Sequence, residues 1–284
     1  MLLPPALGIW VRQGLYYATT NGQQMKLYKY VSTSAAKAIL STRSIGFSRP
    51  SYFNDPFDTP IAMPVPTSNP IDGLFAHLGA RGKSSIWEEN TAILSLTRTM
   101  TNMLMWAHYA DSHQGVVLGI DMERAGFLDD KTNMVPAHLG SVIYSRHRNM
   151  DHYRSHFGEP VVVGATHHFV LSHYEKWQRL FLTKPLEWAY EEEVRVVKCI
   201  RGVSANAGSN SSGCFSIVNL RGRPIHCFHI PDDAITDIYI GLRADPAAVG
   251  ELIALAPKAI FHQSVLDQEA YALTTRPHRN ARAE

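Results

Sequence analysis

Strand-like and helix-like segments alternate along this chain without a repeating strand–helix–strand rhythm. KLYKYV (26–31), SIGFS (44–48), AILSLT (92–97), GVVLGID (115–121), SVIYS (141–145) and EEEVRVVKCI (191–200) read as strands, short and rich in β-branched and aromatic residues. FSIVNL (215–220), PIHCFHI (224–230), ITDIYIGL (235–242), IFHQSVL (260–266) and YALTT (271–275) follow in the same pattern. Helical periodicity is confined to 34–42, 102–113, 161–182 and 245–257. Parallel neighbours need long crossovers, so this order predicts an α+β fold, mostly antiparallel, with a split sheet or β-sandwich core and flanking helices. No internal repeat is present, and no GxGxxG follows a strand, so a Rossmann-type dinucleotide site is unsupported.

Local signals sharpen the boundaries. Ser32, Thr33 and Ser34 offer caps to the first helix, Asp245 and Pro246 start the last one, and Gly115 is expected to end the helix over 102–113. The segment 161–182 has the period and length of one long helix. Residues 62–85 are Pro/Gly/Ser-rich and predict an excursion with one short helix, and GVSANAGSNSSG (202–213) predicts a flexible loop. Residues 1–24 carry no period, and Met25 directly precedes the first strand. The expected organisation is therefore a loose arm or mis-assigned start over 1–25, one α+β domain over 26–275, and a frayed basic tail over 276–284.

Composition excludes some classes. A net charge of +2 names no partner. Cys199, Cys214 and Cys227 are odd in number and form no CxxC, which argues against a zinc ribbon or disulfide framework and favours a reducing, cytoplasmic setting. No apolar run approaches the ~18 residues of a membrane helix, so no membrane partner is expected.

Three polar clusters carry the candidate chemistry. In YEEEVR (190–195), strand alternation places Glu191, Glu193 and Arg195 on one face. Two carboxylates about 7 Å apart raise each other's pKa unless a cation offsets them, and Arg195 is placed to do so. A solvated ion pair is the simpler account of these residues alone, but the following VRVVKCI is nearly continuously apolar and implies entry into a buried sheet. In FNDPFD (53–58), Asn54 and Asp55 precede Pro56 in a tight turn, and Phe53 and Phe57 either anchor that turn or wall a flat ligand. The third cluster joins Ser95 and Thr97 to MWAHYADSH (105–113). There Trp106, Tyr109 and His113 lie roughly on one helical face, while His108 and His113, five apart, are poorly spaced for a shared metal. His167, His168 and His173 lack a suitably offset acid, so no metal site is expected. From Arg195 to Pro231 there are five Lys/Arg and no acid, a solvated face or a receiver for a phosphate backbone.

Taken in order, LYKY (27–30), FSRPSYFNDPFD (47–58), LSLT (94–97), MWAHYADSHQG (105–115) and WAYEEEVR (188–195) resemble the bacterial family called domain of unknown function 2971, over about residues 26–273. Val194 departs from the family, where an aromatic is usual. More distantly, the order resembles the mono-ADP-ribosyltransferase superfamily: a first strand with a basic or His residue, a second with Ser/Thr or Tyr, and a late strand with Glu-x-Glu. That resemblance implies an ADP-ribosyltransferase-like fold and an enzyme that consumes NAD as substrate, a toxin or antiphage effector modifying protein or nucleic acid. It implies Glu193 as the catalytic carboxylate and Glu191 as the residue that orients or activates the acceptor. Lys29 would bind ribose or pyrophosphate, although the superfamily usually shows Arg or His there, and Tyr30, Phe53 or Tyr109 would stack on nicotinamide. Ser48, Asn54, Asp55, Ser95 and Thr97 join the expected NAD-binding set, as do Trp106, His108, His113 and Arg195. Two other readings stay open: a metal-assisted hydrolase or nuclease using Asp55, His108, His113 and Glu193, and a non-catalytic ligand-binding module.

Overall fold

The computed structural model describes residues 24–55, 57–58, 69, 71, 89–147, 167–203 and 205–278. The expectations for 1–23, most of 62–85, 161–166 and 279–284 lie outside these residues.

Eleven strands form one hydrogen-bonded sheet. They are β1 (Lys26–Val31), β2 (Ser44–Ser48), β3 (Thr91–Thr97), β4 (Val116–Asp121), β7 (Glu193–Cys199) and β8 (Ala207–Asn210), then β9 (Gly213–Leu220), β10 (Arg223–His229), β11 (Ile235–Ile240), β12 (Ile260–Leu266) and β13 (Leu273–Pro277). The spatial order is β13-β12-β11-β4-β1-β3-β2-β10-β9-β8, with β7 beside β3. Only β11–β12 is parallel within this sheet. A separate parallel pair joins β5 (Ile143–Ser145) to β6 (Thr183–Pro185). The α+β, mostly antiparallel expectation holds. The sandwich does not, because all eleven strands are joined in one sheet.

That sheet forks at β3. Strand β7 pairs with β3 over all seven residues, Thr91–Cys199 to Thr97–Glu193. The other edge is shared: β1 meets it at Thr97 and β2 at Ile93. Ser95 lies between these two points. The Arg195 N–H donates to Gly140 O at 2.8 Å, away from β3. In an antiparallel ladder, the partner of such a residue also points its N–H and C=O outward. Ser95 therefore presents its backbone polar groups to the fork.

Helices cover both faces. α1 (Thr33–Thr42) is capped by Ser32, which accepts from Ala35 N, and α4 (Pro246–Leu255) by Asp245, which accepts from Ala248 N. Their buried Ala36, Ile39, Val249 and Leu252 pack with Leu27, Val31, Leu118, Leu94 and Val196 in the main core. Alternation sends Tyr30 and Val117 to the opposite face, where α2 (Met103–Tyr109) supplies Met105 and Trp106. On that opposite face Ile93 and Val197 pack against Trp177 and Phe181 of α3 (Tyr174–Phe181).

Four local expectations are corrected. The described part of 161–182 is helical only over Tyr174–Phe181, preceded by one 3-10 turn at Leu171–His173. Trp177, Leu180 and Phe181 bury one stripe, whereas Leu171 is 60% exposed and does not continue that face. The stretch 202–213 contributes β8 as an edge strand, which needs backbone bonds rather than side-chain packing. The helix over 102–113 stops at Tyr109, because Asp111, Ser112 and His113 adopt left-handed φ values of 49, 53 and 69°. Gly115 is required by close approach: a Cβ there would sit 2.2 Å from Val31 O. Finally, β13 extends to Pro277, into the stretch read as a frayed tail.

Candidate functional site

The chain turns sharply before β7. Residues Leu186–Glu191 form a 3-10 segment, and Glu192 caps it at φ 44°. Only Glu193 onward is strand, so Glu191 and Glu193 are not strand neighbours as expected. They converge nonetheless, through Lys184 on β6. Its Nζ lies 2.6 Å from Glu191 Oε2, 3.1 Å from Glu193 Oε2 and 3.7 Å from Asp58 Oδ2. Arg195 closes the cluster from behind. Its Nε donates to Glu193 Oε1 at 2.8 Å, Nη2 reaches both Asp58 oxygens at 2.8 and 2.6 Å, and Nη1 donates to Phe181 O at 2.7 Å. Three carboxylates thus face two cations, all buried.

Helix α2 is docked onto this cluster. Asn102 caps it by accepting from Leu104 and Met105 N–H groups, and its Nδ2 donates to Tyr190 O at 2.7 Å. Tyr109, at the far end, donates its hydroxyl to Glu191 Oε1 at 2.6 Å. The Tyr144 hydroxyl accepts from Glu193 N at 2.8 Å.

Asp58, Lys184, Glu191, Glu193 and Tyr109 form one wall of a cleft of about 140 Å³. Tyr28, Lys29 and Tyr30 come from β1, Ser95 and Thr97 from β3, Phe53, Asn54 and Asp58 from the loop after β2, and Met105 and Tyr109 from α2. Lys29 enters at the fork and donates to Ser95 O at 3.2 Å. A larger cavity, about 280 Å³, lies at the C-terminal ends of α1 and α4. Its charged lining includes the Arg43–Asp232 pair and Lys258 but no carboxylate cluster, so the chemistry points to the smaller cleft.

The electrostatics follow from burial against pairing. Burial alone would raise the Glu193 carboxyl, but the charges of Arg195 and Lys184 outweigh it and hold its pKa at about 2. Lys184 is pulled down by burial yet ends above the usual lysine value, because Glu193 and Glu191 favour its charge. Lys29 has no such pairing, and burial lowers it to about 8 despite Glu193 nearby. Burial and the Glu191 hydrogen bond push the Tyr109 phenol up.

Of the expected site residues, Lys29, Tyr30, Phe53, Asn54, Ser95, Thr97, Tyr109, Glu191 and Glu193 line the cleft. Arg195 stands behind it, 1% exposed and also stacked over the Phe53 ring at 5.2 Å. Five others do not line it. Ser48 sits in the β2 ladder opposite Ile93 and Ile225. Asp55 serves its turn, accepting from Phe57 N at 2.8 Å. Trp106 is a core residue whose indole N–H donates to Met100 O, and His113 stacks on it. His108 is exposed on α2. Among the described residues no group of three or more His, Cys, Asp or Glu side chains is placed to hold a metal ion.

Sequence reasoning missed Asp58 and Lys184. A signal existed for each: FNDPFD holds a second acid, and two converging carboxylates beside one arginine require a further cation. It also overcounted the basic stretch after Arg195, since Arg195 and Lys198 are buried and only Arg201, Arg221 and Arg223 are exposed. Among the described residues no helix is long and apolar enough to cross a membrane.

Comparison with curated proteins and with solved structures returns no match. Residues 105–196 match the family model described as Protein of unknown function (DUF2971). That stretch carries Tyr109, Lys184, Glu191, Glu193 and Arg195, so the resemblance to the family called domain of unknown function 2971 is borne out over this part of the charged wall, while Asp58 and Lys29 lie outside the matched residues.

Proposed function

We propose that this cleft binds the nicotinamide–ribose end of NAD and breaks the bond between them, as an ADP-ribosyltransferase-like enzyme or NAD glycohydrolase. The observation that carries this reading is the meeting of Lys29, Ser95 with Thr97, and Glu193, from β1, β3 and β7, in one cleft. That is the motif order the distant superfamily resemblance requires. Charge supports it: the Glu193 carboxylate, kept ionised by Arg195 and Lys184, is suited to stabilising a ribosyl cation.

The step balances without an added oxidant or reductant. The N-glycosidic bond breaks with its electron pair going to the nicotinamide nitrogen, which loses its positive charge. The ribosyl cation left behind is captured by water or by an acceptor hydroxyl, amine or base, whose proton leaves. Glu193, held ionised by Arg195 and Lys184, supplies the stabilising charge. Glu191, which accepts from the Tyr109 hydroxyl, would orient the acceptor or receive its proton. Phe53 and Tyr109 supply rings for the nicotinamide. At about 140 Å³ the cleft is below the ~300–1,000 Å³ of pockets that enclose a whole ligand, so it fits one end of the dinucleotide. The acceptor would be a protein or nucleic acid, and such an activity would suit a toxin or antiphage effector.

The second reading is a binding module. It draws on Glu193 itself, both of whose oxygens are engaged by Arg195 and Lys184. One experiment separates the two. Purified protein is incubated with NAD labelled in its adenylate half, with and without nucleic acid and lysate, while nicotinamide release and label transfer are followed. Release is expected, with Glu193→Gln lowering it roughly 100- to 1,000-fold while circular dichroism shows the fold intact. Glu191→Gln is expected to depress transfer more than release. Saturable NAD binding with no release under any condition would leave the binding module.

A further inference from the structure

Arg49 and His226 meet where β2 runs out alongside β10. His226 lies opposite Phe47 in the β2–β10 ladder. Arg49 directly follows the last residue of β2, extended at φ −66°, ψ 147°, and lies close enough for its charge to act on the His226 ring. His226 is 1% exposed, and its Nδ1 has no hydrogen-bond partner. The buried Nε of Arg49 has none either. Among the described residues the Arg49 side chain makes no hydrogen bond and no ion pair.

Such an arrangement is costly as it stands. A buried donor left unmade loses its hydration with nothing in return, and the loss is greater when the group is charged. A guanidinium beside an imidazole adds repulsion, and burial followed by Arg49 holds the His226 pKa at about 4. The flanking sequence supplies no counter-charge: residues 1–54 and 194–231 contain no Asp or Glu. A second guanidinium borders the same loop, since Arg223 Nη1 donates to Tyr52 O at 3.2 Å. Orphaned buried donors in a native fold ask for an acceptor from outside the chain.

We infer that Arg49 and His226 form an anion subsite that takes a phosphate group, either as free phosphate or as the monoester of a small molecule. The Arg49 guanidinium supplies charge and a two-pronged donor set. The neutral His226 ring supplies one N–H, in the tautomer protonated at Nδ1. The subsite opens the turn Pro50–Tyr52, which runs directly into Phe53 and Asn54 of the cleft, so an occupant would brace the cleft wall from outside. Nothing in this inference depends on NAD being the ligand of the cleft.

The test is thermal unfolding of the full chain in sodium phosphate against sodium chloride of equal ionic strength, and in AMP against adenosine. Phosphate is expected to raise the melting temperature beyond chloride, and Arg49→Met to weaken that effect at least about tenfold, the loss of one charge-assisted contact. Without phosphate, Arg49→Met should be as stable as the parent or more so, because it removes a buried guanidinium N–H that has no partner. A merely structural arginine gives the reverse order. Stabilisation by AMP but not adenosine identifies a monoester ligand, and stabilisation by inorganic phosphate alone identifies the free anion. Arg49→Gln serves if Arg49→Met does not fold, and broadening of the phosphate phosphorus resonance by the parent protein gives a reading independent of any variant. Equal phosphate and chloride curves for the parent, or an undiminished phosphate shift in the Arg49 variant, would overturn the inference.

Discussion

The guanidinium of Arg195 holds both carboxylate oxygens of Asp58, at 2.8 and 2.6 Å, across 137 residues of sequence. This contact fixes the FNDPFD loop to β7 and so positions Phe53 and Asn54 at the cleft. Asp58→Asn leaves a buried cation short of one counter-charge, and should cost about 3–5 kcal/mol. Asp55→Ala removes only an acceptor from the Phe57 N–H, and should cost about 1 kcal/mol. Urea unfolding of the two variants checks the order. Equal losses would place the loop's anchor in the turn rather than in the ion pair.

Lys184 is the hub between Glu191, Glu193 and Asp58, and no single carboxylate depends on it alone. Lys184→Met should destabilise by about 3–5 kcal/mol, because three carboxylates then face only Arg195. Adding Glu191→Gln should return part of that loss, since one uncompensated charge goes with it. A double-mutant cycle with a coupling energy near zero would show that the two groups do not communicate in the fold.

Stability should vary with pH in two windows. Glu193 has a folded pKa of about 2 against an ordinary 4.5, so its contribution is complete above about 4.5 and is lost as the pH falls towards 2. Lys198 runs the other way. It is buried over the Phe228 ring and donates to Thr132 O and Ser212 O, and burial lowers it to about 8 from 10.5. The unfolded chain then binds more protons between about 8 and 10.5, so this residue makes stability rise with pH across that window. Lys184, raised by its carboxylates, opposes it as the pH climbs past 10.5. Lys29, likewise lowered to about 8, adds to the same rise, so Lys198→Met should remove about half of the slope between pH 8 and 10 in chemical denaturation, and an unchanged slope would assign it to Lys29 and other groups.

What was legible in the sequence was mostly local. The strand segments carry their own period and turn residues, and β1, β2, β3, β7 and the C-terminal strands appear close to where the pattern puts them. The fork was not legible, because it depends on β1 and β2 each touching β3 at a single point, and pairing partners leave no trace in one strand's pattern. The charged motif shows the same boundary. Glu-x-Glu-x-Arg looked like one strand face, yet Glu192 takes a left-handed conformation and the two glutamates meet through Lys184 instead. Lys184 stands in LTKPL with no motif around it, so only the three-dimensional demand for a cation points to it. In MWAHYADSH, composition did not distinguish Tyr109, which faces the cleft, from Trp106 and His113, which stack behind it.

Lys29 differs from the other cations of the site in what it holds. Lys184 and Arg195 are committed to carboxylates, whereas the Lys29 ammonium donates to a single backbone oxygen, Ser95 O, at 3.2 Å. That oxygen faces the fork because neither β1 nor β2 pairs with β3 at Ser95. An ammonium so placed is available to an incoming anion, and the pyrophosphate of NAD is the anion that the proposed function requires. Burial sets its pKa at about 8, so it is charged at neutral pH and discharged within the alkaline working range. Affinity for ADP-ribose should therefore be flat below about pH 7 and fall as the pH passes through 8, because the free protein loses the charge the ligand needs. Lys29→Gln should weaken binding about tenfold at pH 7, the worth of one charge-assisted contact, and should abolish the inflection near 8. Calorimetric titration at several pH values reads both effects without relying on turnover. With NAD as substrate the same variant should raise KM and leave kcat close to the parent value, since the pyrophosphate is held alike before and during bond cleavage. An inflection near pH 8 that persists in Lys29→Gln would mean another group titrates there, and the lysine would then be a support for the fork rather than a ligand contact.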